Sequence, residues 1–229
     1  MTETPFTPST FSSALWLTRI RLNPWSREVH RDVQDVTALH RTLMRLFPSN
    51  LGEEARREAG LLFRYERRDR EHVVLLQSAL RPTLDRLPDQ YGEALTKSLA
   101  PLLDRLHKGT VVQYTITANA TRRRSGLSPD GKPAGTLRPL HGPEAEEWWR
   151  RRAETAGLAV HTADSVSLPD AVGDRRDRAG KEHRILHART RFDGTATITD
   201  AALLVEHLRT GIGRGKSYGC GLLSVHPAT

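Results

Sequence analysis

Apolar and polar positions alternate along residues 14–22, with Leu15, Leu17, Ile20 and Leu22 as the apolar set, which predicts a strand. Asn23 and Pro24 stop it. Asp35 has the chemistry of a helix N-cap. Val36, Leu39, Leu43, Leu46 and Phe47 follow at helical spacing until Pro48, Ser49 and Asn50 end the helix. Residues 61–65 and 72–80 read as two strands joined by a charged turn. Segment 81–108 shows no clear period, because Pro82, Pro88 and Pro101 interrupt it. Residues 110–119 alternate again, with Val112, Tyr114, Ile116 and Ala118 on one face. The order strand, helix, strand, strand, unclear, strand predicts a ferredoxin-like βαββαβ unit over residues 14–120, its second helix short or lost.

Residues 121–134 contain Arg122, Arg123 and Arg124, then Ser125-Gly126 and Pro129-Asp130-Gly131, and read as a linker or loop. A second unit is expected over residues 135–229. Pro143 suits the first position of a helix running to residue 156. Strands are expected at 158–163, 183–192 and 195–199. Asp200 caps a helix over 201–209, and a last strand covers 221–226. The similar order in both halves points to tandem copies of one α+β fold, although no repeat of residue identities is visible. Residues 1–13, rich in Thr, Ser and Pro, read as a disordered extension without the basic and apolar regions of a signal peptide.

Charge adds a partner class. Thirty-five Lys and Arg against 27 Asp and Glu give a net charge of +8. Most of the excess is Arg, whose planar guanidinium suits phosphate and base contacts, so a nucleic acid is the expected partner. The single cysteine, Cys220, excludes an intrachain disulfide and a cysteine-based zinc site and fits a reducing, cytoplasmic setting. No apolar run approaches the roughly 18 residues of a membrane span, so no membrane partner is expected.

Two stretches carry candidate chemistry. The tail holds five glycines in the eleven residues 211–221, Gly211, Gly213, Gly215, Gly219 and Gly221, with Arg214, Lys216 and Ser217 among them. Glycines let backbone N–H groups approach phosphate oxygens, and the cations add charge. Gly215-Lys216-Ser217 resembles the end of a nucleotide-binding P-loop. The motif's first glycine position is Thr210, however, and the expected helix precedes the loop rather than following it. The second stretch is the helix bearing His40. A histidine bordering an apolar face is ordinarily a packed core residue. Arg41 and Arg45, four apart, share a face beside it, and an imidazole near two cations can move a proton at a docked phosphodiester. His183 and His187 lack a carboxylate or thiolate constellation, so no metal and no cofactor is expected. Further basic clusters lie at 64–70, 150–152, which reads as a solvated helix face, and 175–191. The last contains Arg184, Arg189 and Arg191 in an expected hairpin able to track RNA phosphates.

In these residues the chain resembles the CasE family, the CRISPR-RNA processing endoribonucleases of type I-E Cascade complexes. The resemblance rests on Leu15-Trp16-Leu17-Thr18, Leu22-Asn23-Pro24, Leu39-His40-Arg41-Thr42-Leu43 with Leu46-Phe47-Pro48, the segment 72–78, Ala118-Asn119, and the glycine-rich tail with Leu222-Leu223-Ser224. It spans nearly all of residues 14–227. It implies two tandem ferredoxin-like domains, binding of the hairpin of CRISPR repeat RNA, and cleavage at the hairpin's 3′ base. It also implies retention of the crRNA product and assembly with other Cascade subunits. His40 matches the family's catalytic histidine, and Arg45 falls where some members have an active-site lysine. Thr37 stands where some members have a catalytic tyrosine.

The expected reaction needs no metal. The 2′-hydroxyl beside the scissile phosphate attacks it, leaving a 2′,3′-cyclic phosphate and a 5′-hydroxyl. His40 is the expected base. Arg41, Arg45 or Lys216 would stabilise charge, and His30 or Tyr218 could supply the acid. Arg122, Arg123, Arg124, Arg184, Arg189, Arg191, Gly211, Gly213, Arg214, Gly215, Lys216 and Ser217 are the expected RNA contacts, together with Arg41. Two other classes compete: a non-catalytic RNA-binding subunit, which would not need His40, and a DNA-binding regulator. No helix-turn-helix or zinc-finger pattern supports the latter, and direct DNA binding is not expected.

Overall fold

The computed structural model describes residues 14–52, 54–68, 71–125, 135–176 and 182–228. The expected N-terminal extension and positions 126–134 of the expected linker lie outside the described residues. The elements are β1 (Trp16–Leu22), α1 (Arg27–Gln34), α2 (Val36–Met44), α3 (Ala55–Glu58), β2 (Leu62–Arg68), β3 (Glu71–Ser78), β4 (Gly92–Ser98), α4 (Ala100–Leu103) and β5 (Val111–Ala118). They continue with β6 (Thr121–Arg123), β7 (Leu137–Pro139), α5 (Gly142–Thr155), β8 (Leu158–Arg176), β9 (Glu182–Ile198), α6 (Ala201–Thr210) and β10 (Leu223–Pro227). Two 3₁₀ turns, Leu84–Arg86 and Lys216–Tyr218, complete the list.

Two four-stranded antiparallel sheets dominate, in the orders β2-β3-β1-β4 and β10-β5-β9-β8. Each sheet places its first strand between its third and fourth, so the two halves are copies of one topology. The second half is a complete βαββαβ unit with α5 and α6 as crossovers. In the first half α1, α2 and α3 fill the first crossover, while the second has only the turn Leu84–Arg86. The α+β class, the tandem arrangement and the lost helix agree with the pattern of apolar positions.

One strand belongs elsewhere than expected. Residues 110–119 do not close the first sheet. β5 opens the second, pairing with β9 and β10, and its Val112, Tyr114, Ile116 and Ala118 join the core around Trp149 and Phe192. The first sheet is closed by β4, inside the segment that showed no period. As an edge strand with mostly solvated side chains, β4 carries no alternation to read. The arginine run at 122–124 likewise begins in a strand, since β6 pairs with β7. The strands expected at 183–192 and 195–199 are one strand, β9. The short strand expected from 158 runs on to Arg176, with irregularities between Val160 and Thr162 and between Leu168 and Ala171. Helix α1 was not expected, since only two valines mark it; Ser26 caps it.

Buried polar side chains join the two sheets. Arg64 on β2 is 4 % exposed. It pairs with Glu66 (Nε to Oε1, 2.9 Å) and donates Nη1 to the carbonyls of Thr115 (3.3 Å) and Leu222 (3.2 Å). Gln77 on β3 donates to the carbonyl of Leu208 in α6. Among the described residues, no helix is long and apolar enough to cross a membrane. Arg64→Ala strips a partner from Glu66 and leaves two carbonyls short of a donor. We expect it to lower unfolding free energy by about 3–5 kcal/mol, measured by urea denaturation; a loss under about 1 kcal/mol would show that Arg64 does not hold the halves together.

Candidate active site

Helix α2 starts at Asp35, whose side chain accepts from the Thr37 N–H at 2.8 Å. Leu39 and Leu43 bury against the core that contains Ile20, Phe63 and Val74. A polar network fixes α2 from behind. Asp32 on α1, fully buried, accepts from the Tyr91 hydroxyl (2.8 Å) and from Arg31 (2.7 Å). Arg31 also reaches Thr42 of α2 at 3.4 Å. Burial and the Asp32 charge both raise the pKa of the Tyr91 hydroxyl, keeping it a donor.

This framework presents His40 half-buried on β2, its ring stacked on Phe63 with centroids 6.1 Å apart and planes 24° from parallel. Its Nδ1 is buried and has no hydrogen-bond partner. Burial first, and the Arg56 guanidinium second, push its pKa down from 6.5 to about 4. The free imidazole is therefore neutral near pH 7, the state in which it can accept a proton.

The glycine-rich tail covers the same strand. Both α2 and β2 pack against the turn Lys216–Tyr218. Gly211 sits on Leu62 and Gly219 on Phe63, so closely that a Cβ at Gly211 would come within 2.7 Å of a Leu62 methyl. Gly221, at φ +87°, leaves no room for a Cβ beside the carbonyl of Ile212. Lys216 donates to the carbonyl of Thr210 at 2.7 Å. Burial, then the charges of Arg56 and Arg57, lower its pKa. Tyr218 stacks on His187 of β9, centroids 4.6 Å apart and planes 26° from parallel. Phosphate oxygens are the natural ligand for such backbone with half-buried cations.

Comparison with known proteins places this arrangement. The family model for a CRISPR associated protein matches residues 15–227. The chain is 30% identical over 222 residues to the CRISPR-associated endoribonuclease Cse3 of Thermus thermophilus, covering 93% of this chain and all of that one. It is 28% identical to the Cascade subunit CasE of Escherichia coli, over 89% of this chain and 94% of the relative. The chain belongs to the CRISPR-associated Cse3/CasE family. Its structure superimposes on Cse3 bound to a 19-nucleotide RNA with a TM-score of 0.74, at 30% identity over 94% of this chain and all of the other. Cas6e of Escherichia coli gives 0.66 at 26% identity. As a Cse3 homologue it is an endoribonuclease of two ferredoxin-like domains.

In this Cse3/CasE member the expected site residues fall into separate groups. His40, Lys216 and Ser217 come together across α2, β2 and the tail. Arg41 and Arg45 do not share His40's face. On an α-helix they lie about 100° and about 140° around the axis from it. Arg41 turns back to the Thr37 carbonyl (3.3 Å) and to Asp35 (3.7 Å), and Arg45 forms the exposed C-cap. Gly211, Gly213 and Gly215 take positive φ, and Arg214 is exposed. Arg122, Arg123 and Arg124 lie on or beside the β6–β7 hairpin. Arg122 and Arg151 line a cleft of about 210 Å³ along α5, whose Trp148 also lies against Gly213 of the tail. On β9, Arg184 is exposed. Arg191 is engaged by Asp193 (2.7 Å), and Arg189 donates to the Pro169 carbonyl (2.8 Å). His30 is exposed on α1. Among the described residues, no three His, Cys, Asp or Glu side chains converge as a metal site would require.

Arg56 was not singled out, although it stands just before β2, where its head group meets the site. Thr37 is covered by β8: a Cβ at Gly173 would come within 2.4 Å of the Thr37 hydroxyl and 2.8 Å of Asp35 Oδ1. The depressed His40 pKa carries a stability signature. Folded His40 takes a proton only near pH 4, whereas the unfolded imidazole takes one near 6.5. The unfolded chain thus binds more protons in this window, and stability falls as pH drops from 6.5 to 4. Wild type should lose about 3 kcal/mol more than His40→Ala between pH 7 and pH 4, read from urea unfolding at both pH values; equal losses would mean that the ring bears no such penalty.

Proposed function

We propose that the protein binds the stem-loop of CRISPR repeat RNA and cuts at the 3′ base of the stem by attack of the RNA's own 2′-hydroxyl. The observation that carries this reading is the neutral, half-buried His40 set beside cations and a glycine loop suited to phosphate. His40 accepts the proton of the 2′-hydroxyl as its oxygen bonds to phosphorus. The P–O5′ bond breaks, giving a 2′,3′-cyclic phosphate and a 5′-hydroxyl. Tyr218, in the same turn as Lys216, donates the proton to the departing 5′-oxygen. Lys216 and the tail N–H groups offset the charge that gathers on phosphorus-bound oxygens.

The exposed Arg184 and the arginines of the β6–β7 hairpin contact backbone phosphates and set affinity rather than rate. The cut RNA stays bound and the protein joins an RNA-guided complex, a reading supported by one relative named as a Cascade subunit and a similar solved structure named as a CRISPR RNA-guided surveillance complex. The protein works in the cytoplasm.

The test is a cleavage assay on hairpin repeat RNA. His40→Ala should abolish cutting while binding persists; a 2′-deoxy linkage at the cut site should resist; EDTA should leave the rate unchanged. Cutting of the deoxy RNA, or loss of activity in EDTA, would overturn the mechanism. Full cutting by His40→Ala would show that His40 is not the base, whereas binding without cutting by the wild type would favour a non-catalytic RNA-binding subunit. A further check is Tyr218→Phe, which keeps the stack on His187 but removes the phenol hydroxyl. It should slow cleavage about 10²-fold, measured as a single-turnover rate; an unchanged rate would assign the acid elsewhere.

A further inference from the structure

We infer that Arg56 holds the scissile phosphate beside His40 and shares with Lys216 the charge-neutralising role that the family resemblance offered to Arg45. This rests on the cleavage reading above and adds a residue to it.

Arg56 lies on α3, just before β2. Its Nη1 donates to the Leu61 carbonyl at 3.1 Å, which places the guanidinium at the head of the strand whose next residues meet the tail. Leu62 touches Gly211, and Phe63 touches both Gly219 and the His40 ring. Arg56 therefore stands where the catalytic helix and the glycine loop converge. Its charge acts on both His40 and Lys216.

The surroundings of Arg56 call for an anion. Its head is half-buried, and its charged neighbours include Arg57 and Lys216. Among the described residues, the carboxylate that acts on it is Glu54, and Arg57 already holds Glu54 in an ion pair. Arg57 is exposed and can spend its charge in water; Arg56 is shielded. Among the described residues, one of its five N–H groups is engaged, leaving an open fork of the shape that grips two phosphate oxygens. A half-buried guanidinium under the influence of a second cation, Lys216, is uncomfortable until an anion arrives. A phosphodiester docked there would relieve the repulsion between Arg56 and Lys216. The same negative charge would offset the Arg56 field on His40 and raise the imidazole's basicity once substrate is bound.

The test uses single-turnover cleavage with full-length protein in excess over hairpin repeat RNA. Arg56→Ala should cut about 100-fold more slowly, with a much smaller change in affinity for the 2′-deoxy RNA. Arg56→Lys should recover part of the rate, because charge returns without the fork. In the RNA-free protein, NMR titration of His40 should move up toward 6.5 in Arg56→Gln, a change that a purely structural arginine would not produce. If Arg56→Ala proves unfolded by urea titration, Arg56→Lys and the His40 titration decide. Wild-type cutting by Arg56→Ala, with His40→Ala inactive, would overturn this inference and leave the proposed function standing. Cutting by both variants would overturn the proposed function itself. An unmoved His40 titration would show that Arg56 does not face the ring and would also overturn the inference.

Discussion

The contact between the glycine-rich tail and strand β2 governs the whole site. Leu62 and Phe63 must be approached by backbone alone, and Gly211 and Gly219 make that approach because they have nothing at Cβ. Everything chemical follows from this closeness. The tail delivers Lys216 and Tyr218 to the strand on which His40 is stacked, although 176 residues (216 less 40) separate Lys216 from His40 in sequence. A Cβ at Gly211 would meet Leu62 at 2.7 Å and one at Gly219 would meet Phe63 at 3.3 Å, so a side chain at either glycine would force the tail or the strand to shift. Arg64 secures the same seam by binding a carbonyl at each of two points in the second half.

Electrostatics explains why a histidine serves here. Cations suited to phosphate would ordinarily leave a carboxylate base paired and unreactive. An imidazole responds in the opposite sense: nearby positive charge keeps it unprotonated and ready to accept a proton. Burial against Phe63 adds to the effect, and the unpartnered Nδ1 places no acceptor beside the ring that would favour its charged form. Stability and reactivity thus pull apart at this residue, since the environment that keeps the base free also makes acid conditions costly to the fold.

Much of this was legible in the sequence, and the limits have physical causes. Asp35, the apolar spacing behind it and His40 mark α2 because local capping and periodicity suffice there. The glycines announce the tail because few other reasons exist for five in eleven residues. The strand Gly92–Ser98 was hidden because an edge strand facing water carries no alternation. The strand Val111–Ala118 was visible but assigned to the wrong sheet, since periodicity reports a buried face and not which core buries it. Arg56 was hidden for a different reason. Nothing in its neighbours Arg57 and Glu58 sets it apart, and only the folded chain shows which guanidinium is shielded. Arg41 and Arg45 drew attention by being near His40 in sequence, yet helix geometry turns both away from its face.

The β8–β9 hairpin has a mechanical consequence. Among the described residues, only 190–197 of β9 pair with β5, and beyond them β8 and β9 are paired with each other alone. A lone two-stranded ribbon is barely stable in water, and this one is propped from outside. Gly173 lies against the first turn of α2, and His187 lies against Tyr218. The ribbon therefore borrows its rigidity from the catalytic helix and the tail, and load travels both ways through those two props. Tugging or shortening the ribbon would be felt first at Thr37 and Tyr218.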